Sequence, residues 1–217
     1  MNQRIKSVIA LIVCLILVCS FFSCKKKKEL QVFFYDECTV AEAENEALVV
    51  GTKKPETEGN IIDTLIVPDY DKDTLSEVES LLNEYDIDTV YIPDEEELYR
   101  LCSGFDVATV KVEGSMSFGI GGASVTVTAG DKDTSLITRL SIGKERMLLC
   151  GSMDKTRFEE LKSIDNDSFA YICLTAAQKD IAEDILSTYT PKSLIFKGID
   201  PYIEGYDIIK DSVTLKE

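Results

Sequence analysis

The sequence predicts a layered α+β domain, α/β in the way its elements stack, and three observations predict it. Short apolar runs rich in β-branched residues recur along the chain at strand length. A few amphipathic stretches with helical spacing and capping residues lie between them. No repeat and no second boundary divides the roughly 190 residues that follow the N-terminal segment, enough for one ordinary core. Apolar residues make up 45% of the chain and charged residues 29%, a globular balance rather than a disordered one.

Leu30 to Tyr35 and Ala47 to Gly51 read as two strands flanking an acidic loop, and Lys53 to Asn60 as a connection. Ile61 to Val67 has the composition of a strand buried on both faces. The spacing then predicts a helix, with Thr74 and Glu77 as a capping box and Leu75, Val78, Leu81 and Leu82 on one face. Val90 to Ile92 forms the next strand, stopped by Pro93, and Asp94 to Cys102 a short helix whose acidic first turn faces solvent. Val107 to Val112, Met116 to Gly119 and Ala123 to Thr128 follow as strands, with Gly119-Ile120-Gly121-Gly122 as a turn rather than a phosphate cradle. Ser135 to Ile142 and Arg146 to Cys150 pair as a hairpin across Gly143-Lys144-Glu145. Phe158 to Leu161 lies in a short helix, and Phe169 to Leu174 in a buried strand. Thr175 and Gln178 cap a helix carrying Ile181, Ile185 and Leu186, and three short strands at Leu194–Phe196, Ile208-Ile209 and Val213–Leu215 end the chain.

Residues 1–23 read as a signal peptide, with Arg4 and Lys6 ahead of the apolar run Val8 to Phe22. Phe21-Phe22-Ser23-Cys24 resembles a bacterial lipobox, with Phe21 where leucine is usual, so Cys24 is the expected site of lipidation. Residues 24–29 then form a polybasic linker in which Lys25, Lys26, Lys27 and Lys28 face anionic headgroups, each charge contributing on the order of 1 kcal/mol. Acyl chains plus such a patch make a durable anchor. An uncleaved signal anchor is the alternative, disfavoured by an apolar run short of the ~20 residues a span needs and by lysines on its far side. Either way the expected location is bacterial, membrane-anchored and extracytoplasmic, with residues 30–217 as the folded domain.

Beyond residue 23 the chain carries 21 basic and 39 acidic residues, a net of −18. Phosphate binding depends on clustered Lys and Arg, so this balance argues against direct contact with nucleic acid. Histidine is absent, which removes imidazole as base, proton shuttle or metal ligand. Cys38, Cys102, Cys150 and Cys173 form no CxxC pair, so zinc-thiolate spacing is missing too. Their pairing is left open, with burial as apolar cysteine the reading for Cys150 and Cys173.

Several segments carry a resemblance in order along the chain. Asp63-Thr64-Leu65-Ile66 runs into Val67-Pro68-Asp69-Tyr70-Asp71-Lys72 and the helix with Leu75, Val78 and Leu81. This resembles the metallo-β-lactamase fold, and most closely the extracellular domain of ComEC-type competence proteins, where a strand ends in an H-P-D-x-D-H loop before a helix. Met116 to Gly119 and Val125 to Val127 look like the paired strands before the family's central hairpin. Thr134 to Leu140 with Arg146 to Ser152 is similar to that hairpin, "NSLVLRL…FLLTGD". Tyr171 to Ala177 lies where the family has "VLKVAHH", and Pro191 to Ile195 resembles "PKVAVIS". The resemblance implies an αββα sandwich over residues 30–217.

It also implies a two-metal site that activates water, and here the sequence departs. Asp69 and Asp71 match the loop carboxylates, but Val67 and Lys72 stand in place of the loop histidines. Ser152 replaces the bridging aspartate, Ala176 and Ala177 replace the paired histidines, and only Asp36, before Glu37 and Cys38, remains of a D-V-G-Q-G turn. Val and Ala ligate nothing, and Lys72 is expected to set a cation where a metal would lie. The expectation is a degenerate site, without catalytic residues or resident cofactor. Asp69, Asp71 and Asp73 keep a DxDxD spacing suggestive of a calcium or magnesium loop, yet Thr74 and Ser80 occupy the glycine and glutamate positions of an EF-hand. Asp73 or Thr74 as a helix cap explains the same residues. Ser152-Met153-Asp154-Lys155 fits SxxK, but so does Ser141-Ile142-Gly143-Lys144 inside a hairpin, and neither SDN nor KTG accompanies them.

Three functions follow as expectations: a non-catalytic surface module with an unknown protein or small-molecule partner, a divalent-metal hydrolase using the Asp69/Asp71 loop, or an accessory role in DNA uptake by analogy with ComEC-type proteins.

Overall fold

The computed structural model describes residues 28–55, 61–131, 135–164 and 168–217. Cys24, Lys25, Lys26 and Lys27 lie outside them, as does Thr134; Lys28 is exposed just ahead of the first strand.

Two seven-stranded sheets face each other. In the first, β1 (Glu29–Phe34), β2 (Cys38–Ala43), β3 (Glu46–Gly51), β4 (Ile61–Ile66), β5 (Asp86–Ile92) and β6 (Ala108–Lys111) lie side by side in chain order, and β14 (Ser212–Lys216) closes the outer edge beside β1. In the second, β7 (Ser115–Ile120), β8 (Ala123–Ala129), β9 (Leu136–Ile142), β10 (Glu145–Leu149), β11 (Tyr171–Leu174), β12 (Ser193–Phe196) and β13 (Asp207–Ile209) do the same. Each sheet is antiparallel at its start and parallel beyond it, β3 to β6 in the first and β10 to β13 in the second, with helices as the crossovers from β4 to β6 and from β10 to β12.

The burial pattern follows from that plan. Leu30, Val32, Leu48 and Ile66 of the first sheet meet Val125, Leu136, Leu140 and Met147 of the second in a central core. The other face of the first sheet buries Val40, Leu65 and Val90 under α1 (Thr74–Glu84) and α2 (Glu96–Cys102), through Val78, Leu81 and Leu98. The other face of the second buries Leu148, Ile172 and Leu194 under α3 (Lys155–Ile164) and α4 (Ala182–Tyr189), through Phe158, Leu161 and Ile185. The layers are therefore αββα, as expected. Among the described residues no helix is long and apolar enough to cross a membrane.

Three local expectations need correction. The acidic loop between the first two strands contains a further strand, β2, whose residues are almost all buried. Its hairpin turns at Glu44, where φ is +58°, and the glutamates there mask the pattern. The box expected from Thr74 and Glu77 does not form, because Thr74 is already helical; Glu77 instead accepts from the Thr52 hydroxyl and pairs with Lys53 at 2.5 Å. Thr175 and Gln178 do make a capping box, on a separate 3-10 turn at Ala176–Gln178 ahead of α4. The acidic start of α2 faces solvent as expected, with Lys111 reaching Asp94 at 3.1 Å and Glu96 at 3.0 Å and the Tyr70 hydroxyl donating to Glu97 at 2.7 Å.

Gly121 shows why the β7–β8 turn needs glycine. Its φ is +49°, and a Cβ there would lie 2.2 Å from that of Ala43. All four described cysteines are buried, and no disulfide joins any two of them.

Candidate functional site

The crossovers bring the carboxyl ends of the parallel strands, where α/β folds place their ligands, to one edge of the sandwich. A cleft of about 580 Å³ opens there. From the first sheet come Asp36 and Glu37 after β1, Gly51 and Thr52 at the end of β3, and Pro68, Asp69 and Asp71 after β4. From the second come Gly151 and Ser152 after β10, Thr175, Ala176 and Ala177 after β11, and Lys197 and Gly198 after β12. The cleft is open, not filled by its own side chains.

Its walls are tied together by main-chain and side-chain bonds. The Leu136 amide donates to the Pro68 carbonyl across the sheets at 2.6 Å. Gly51, with φ +137°, lets the β3 end approach the loop after β1; a Cβ there would lie 2.6 Å from the Glu37 carbonyl. On the other wall the fully buried Gln178 donates to the carbonyls of Gly151 at 3.1 Å and Met153 at 2.8 Å. Its Oε1 accepts from the Thr175 amide at 2.8 Å, so one side chain fixes the Ser152 loop to the Ala176-Ala177 turn. Tyr202 adds a hydroxyl donated to the Thr175 carbonyl at 3.1 Å, and burial pushes its own ionisation up to about 12.

The sequence-predicted residues separate into two groups. Asp69, Asp71, Ser152, Ala176 and Ala177 all line the cleft. Val67 does not: it is fully buried in the core beneath α1. Asp73 and Lys72 are exposed, and among the described residues the ion pair that Lys72 forms is with Asp73, at 3.9 Å. The expected cation in the site is thus not Lys72, whose side chain turns outward into water as long, strongly hydrated ammoniums do.

The cation in the cleft is Lys197, a residue that the sequence reading passed over. Its flanking pattern, Leu194-Ile195-Phe196-Lys197-Gly198, identifies a strand end and nothing more. Lys197 is partly buried, and that burial lowers its pKa from the usual lysine value, although Cys173, Cys38, Asp69 and Glu37 raise it through space. None of these groups hydrogen-bonds its ammonium.

The acids are committed one by one. Asp71 Oδ1 accepts from the amides of Asp73 at 2.9 Å and Thr74 at 3.0 Å, and from the Thr74 hydroxyl at 3.0 Å. The Asp73 amide foremost, then the Thr74 hydroxyl, hold its carboxyl below the usual carboxylate range. Asp71 therefore does the capping expected of Asp73 or Thr74. Asp69 Oδ1 accepts a short hydrogen bond from the Ser152 hydroxyl. Glu37 pairs with Lys53 at 3.6 Å.

This donor set does not fit a two-metal centre. Among the described residues, no three His, Cys, Asp or Glu side chains converge as metal ligands, and the positions facing Asp69 across the cleft are a hydroxyl, two methyl groups and an ammonium. Nor does Ser152 gain a useful base. An aspartate accepting its proton is weak at neutral pH, and Lys155 opens α3 away from the cleft lining. What the arrangement can do is present fixed polar and charged groups to something that enters.

No family model and no curated protein matches the sequence. Solved structures do. The chain is similar to CmlA, a diiron β-hydroxylase from Streptomyces venezuelae (TM-score 0.56, 12% identity, 88% of this chain and 54% of that one). It is similar to a diphosphatase of the PhnP family (TM-score 0.53, 15% identity, 84% of each chain) and to a possible metal-dependent hydrolase from Veillonella parvula (TM-score 0.56, 8% identity, 78% of this chain and 85% of that one). The chain spans little more than half the length of CmlA. The two facing sheets with helices outside, in this strand order and with these neighbours, show that the chain has the metallo-β-lactamase fold.

Proposed function

We propose that the protein is a non-catalytic binding module that uses the open cleft of a metallo-β-lactamase fold without its metals. The observation that carries the reading is the cleft itself. It stays open at about 580 Å³, within the ~300–1,000 Å³ of small-molecule sites, while its lining lacks a convergent ligand set. A site kept only as scaffold would be free to fill with side chains; Ala176 and Ala177 leave it open.

The module is an exported lipoprotein in this proposal, acylated at Cys24 and held to the membrane with the help of Lys25 to Lys28. The signal-like segment of the sequence supports it, and Cys24→Ala should move the protein from the membrane to the soluble fraction. Kinship to ComEC-type domains is supported by the order of the matching segments. An accessory role in DNA uptake rests on that kinship alone and meets an acidic body.

The test is a thermal-shift screen of a small-metabolite library against the wild type and Ala177→Trp, whose indole would fill the cleft mouth. Hits that vanish in the variant are expected; a library without hits refutes the reading. Titration with calcium, zinc and manganese separates the remaining alternative. Stoichiometric binding lost in Asp69→Asn and Asp71→Asn would contradict the metal-free reading and favour the divalent-metal alternative.

A further inference from the structure

Lys197 is the feature that the cleft leaves unexplained. It lines the cleft at the end of β12 as a partly buried residue, and among the described residues no hydrogen bond to its ammonium is found. A charge partly withdrawn from water gains from a partner in contact, and through-space fields from Asp69 and Glu37 do not supply hydrogen bonds to it. An anionic oxygen entering the cleft would.

A plain anion is nonetheless a poor fit. Asp36, Glu37, Asp69 and Asp71 surround the same space, so the lining carries three more negative charges than positive ones. Asp71 is satisfied by its helix cap and Glu37 by Lys53. Asp36 is exposed, on the loop after β1, and its carbonyl oxygen approaches within 3.0 Å of the point where a Cβ on Gly198 would sit. The loops bearing Asp36 and Lys197 therefore touch, and opposite charges stand on adjoining stretches of the cleft wall.

We infer that the cleft takes a small zwitterion, its anionic end against Lys197 and its cationic end toward Asp36 and Asp69. The volume favours a ligand larger than one amino acid, and a peptide of two or three residues with free termini has both the size and the charges. The inference rests on the cleft-binding reading above and adds the chemistry of what enters.

Isothermal titration calorimetry on the full chain in detergent tests it with Ala-Ala and Ala-Ala-Ala, alongside N-acetylated and C-amidated forms of each. The free peptides should bind, and capping either end should weaken binding at least tenfold. Lys197→Met should weaken the free and acetylated peptides but leave the amides unchanged, Lys197→Arg should restore binding, and Asp36→Asn should act on the amino end alone. The capped-peptide comparison needs no variant, so misfolding cannot obscure it. The inference is overturned if no free peptide binds, or if capped forms bind as tightly as free ones. Non-zwitterionic library hits lost in Ala177→Trp would overturn it too, while leaving the cleft-binding reading intact.

Discussion

Replacing Gln178 with methionine should loosen the cleft wall by a predictable amount. The change keeps the side chain's length and apolar stem in a fully buried position and removes four hydrogen bonds. Two backbone groups lose their side-chain partner. The Met153 carbonyl is buried, and the Thr175 amide is partly so. The Gly151 carbonyl keeps the Thr175 hydroxyl at 3.1 Å. A buried polar group left unsatisfied costs about 1–3 kcal/mol, so two of them, one partly wetted, give a loss of about 2–4 kcal/mol. For a domain of this size that is a fall in Tm of roughly 5–12 °C. Gln178→Glu should be no better, because an ionised carboxylate cannot donate to the Gly151 and Met153 carbonyls. Urea unfolding followed by circular dichroism measures all three proteins. A loss below about 1 kcal/mol for the methionine variant would mean that water replaces the amide freely, and the side chain would not be what ties the two loops.

Three further outcomes follow from the same geometry. Asp71→Ala should cost about 1 kcal/mol as a lost helix cap. Because the folded-state pKa of Asp71 lies below its unfolded value, its contribution is complete above about pH 4 and lost as pH falls through the folded pKa, so Asp71→Asn should flatten the acid limb of a urea-midpoint series. Lys72→Ala should change stability by less than about 0.5 kcal/mol and leave cleft binding untouched; a weakened ligand would return Lys72 to the site. Burial lifts the thiols of Cys102 and Cys173 to about 11 and that of Cys150 well above its usual value, so iodoacetamide at neutral pH should leave these three unmodified until guanidinium unfolds the chain. Peptide mass spectrometry reads that directly.

Much of the layer order is legible because burial on both faces of a strand writes itself into composition. Ile61 to Val67 and Phe169 to Leu174 are recognisable for that reason, and the αββα arrangement follows once their order is matched to a family. β2 escapes notice because Glu42, Glu44 and Glu46 cluster around a hairpin whose buried residues include the small Thr39, Ala41 and Ala43. The cleft positions of Asp69, Ser152, Ala176 and Ala177 are legible by alignment with the strand ends. Side-chain direction is not. Lys72 and Lys197 both follow strands by a few residues, and only the packed structure separates the one that turns to water from the one held inside. The capping role of Asp71 is hidden for a similar reason, since the helix begins one residue earlier than a Thr74 cap implies and the acid that accepts the Asp73 and Thr74 amides lies ahead of it.

The electrostatics of the cleft are compatible with the proposed metal-free state. In a two-metal site, clustered carboxylates are tolerable because cations sit among them, and removing only the cations would leave like charges facing one another. Here the carboxylates have been given separate partners: two amides and a hydroxyl for Asp71, the Ser152 hydroxyl for Asp69 and the Lys53 ammonium for Glu37. Lys197 adds a fixed positive charge to the common space. Substituting Lys197 by Met should accordingly stabilise the folded chain, because a partly buried ammonium without a contact partner costs more than the through-space attraction of the carboxylates returns. Urea unfolding of that variant without ligand decides the point. A loss of stability would show that Lys197 serves chiefly to balance the acids, whereas a gain would show that the chain retains a destabilising charge for something that binds it.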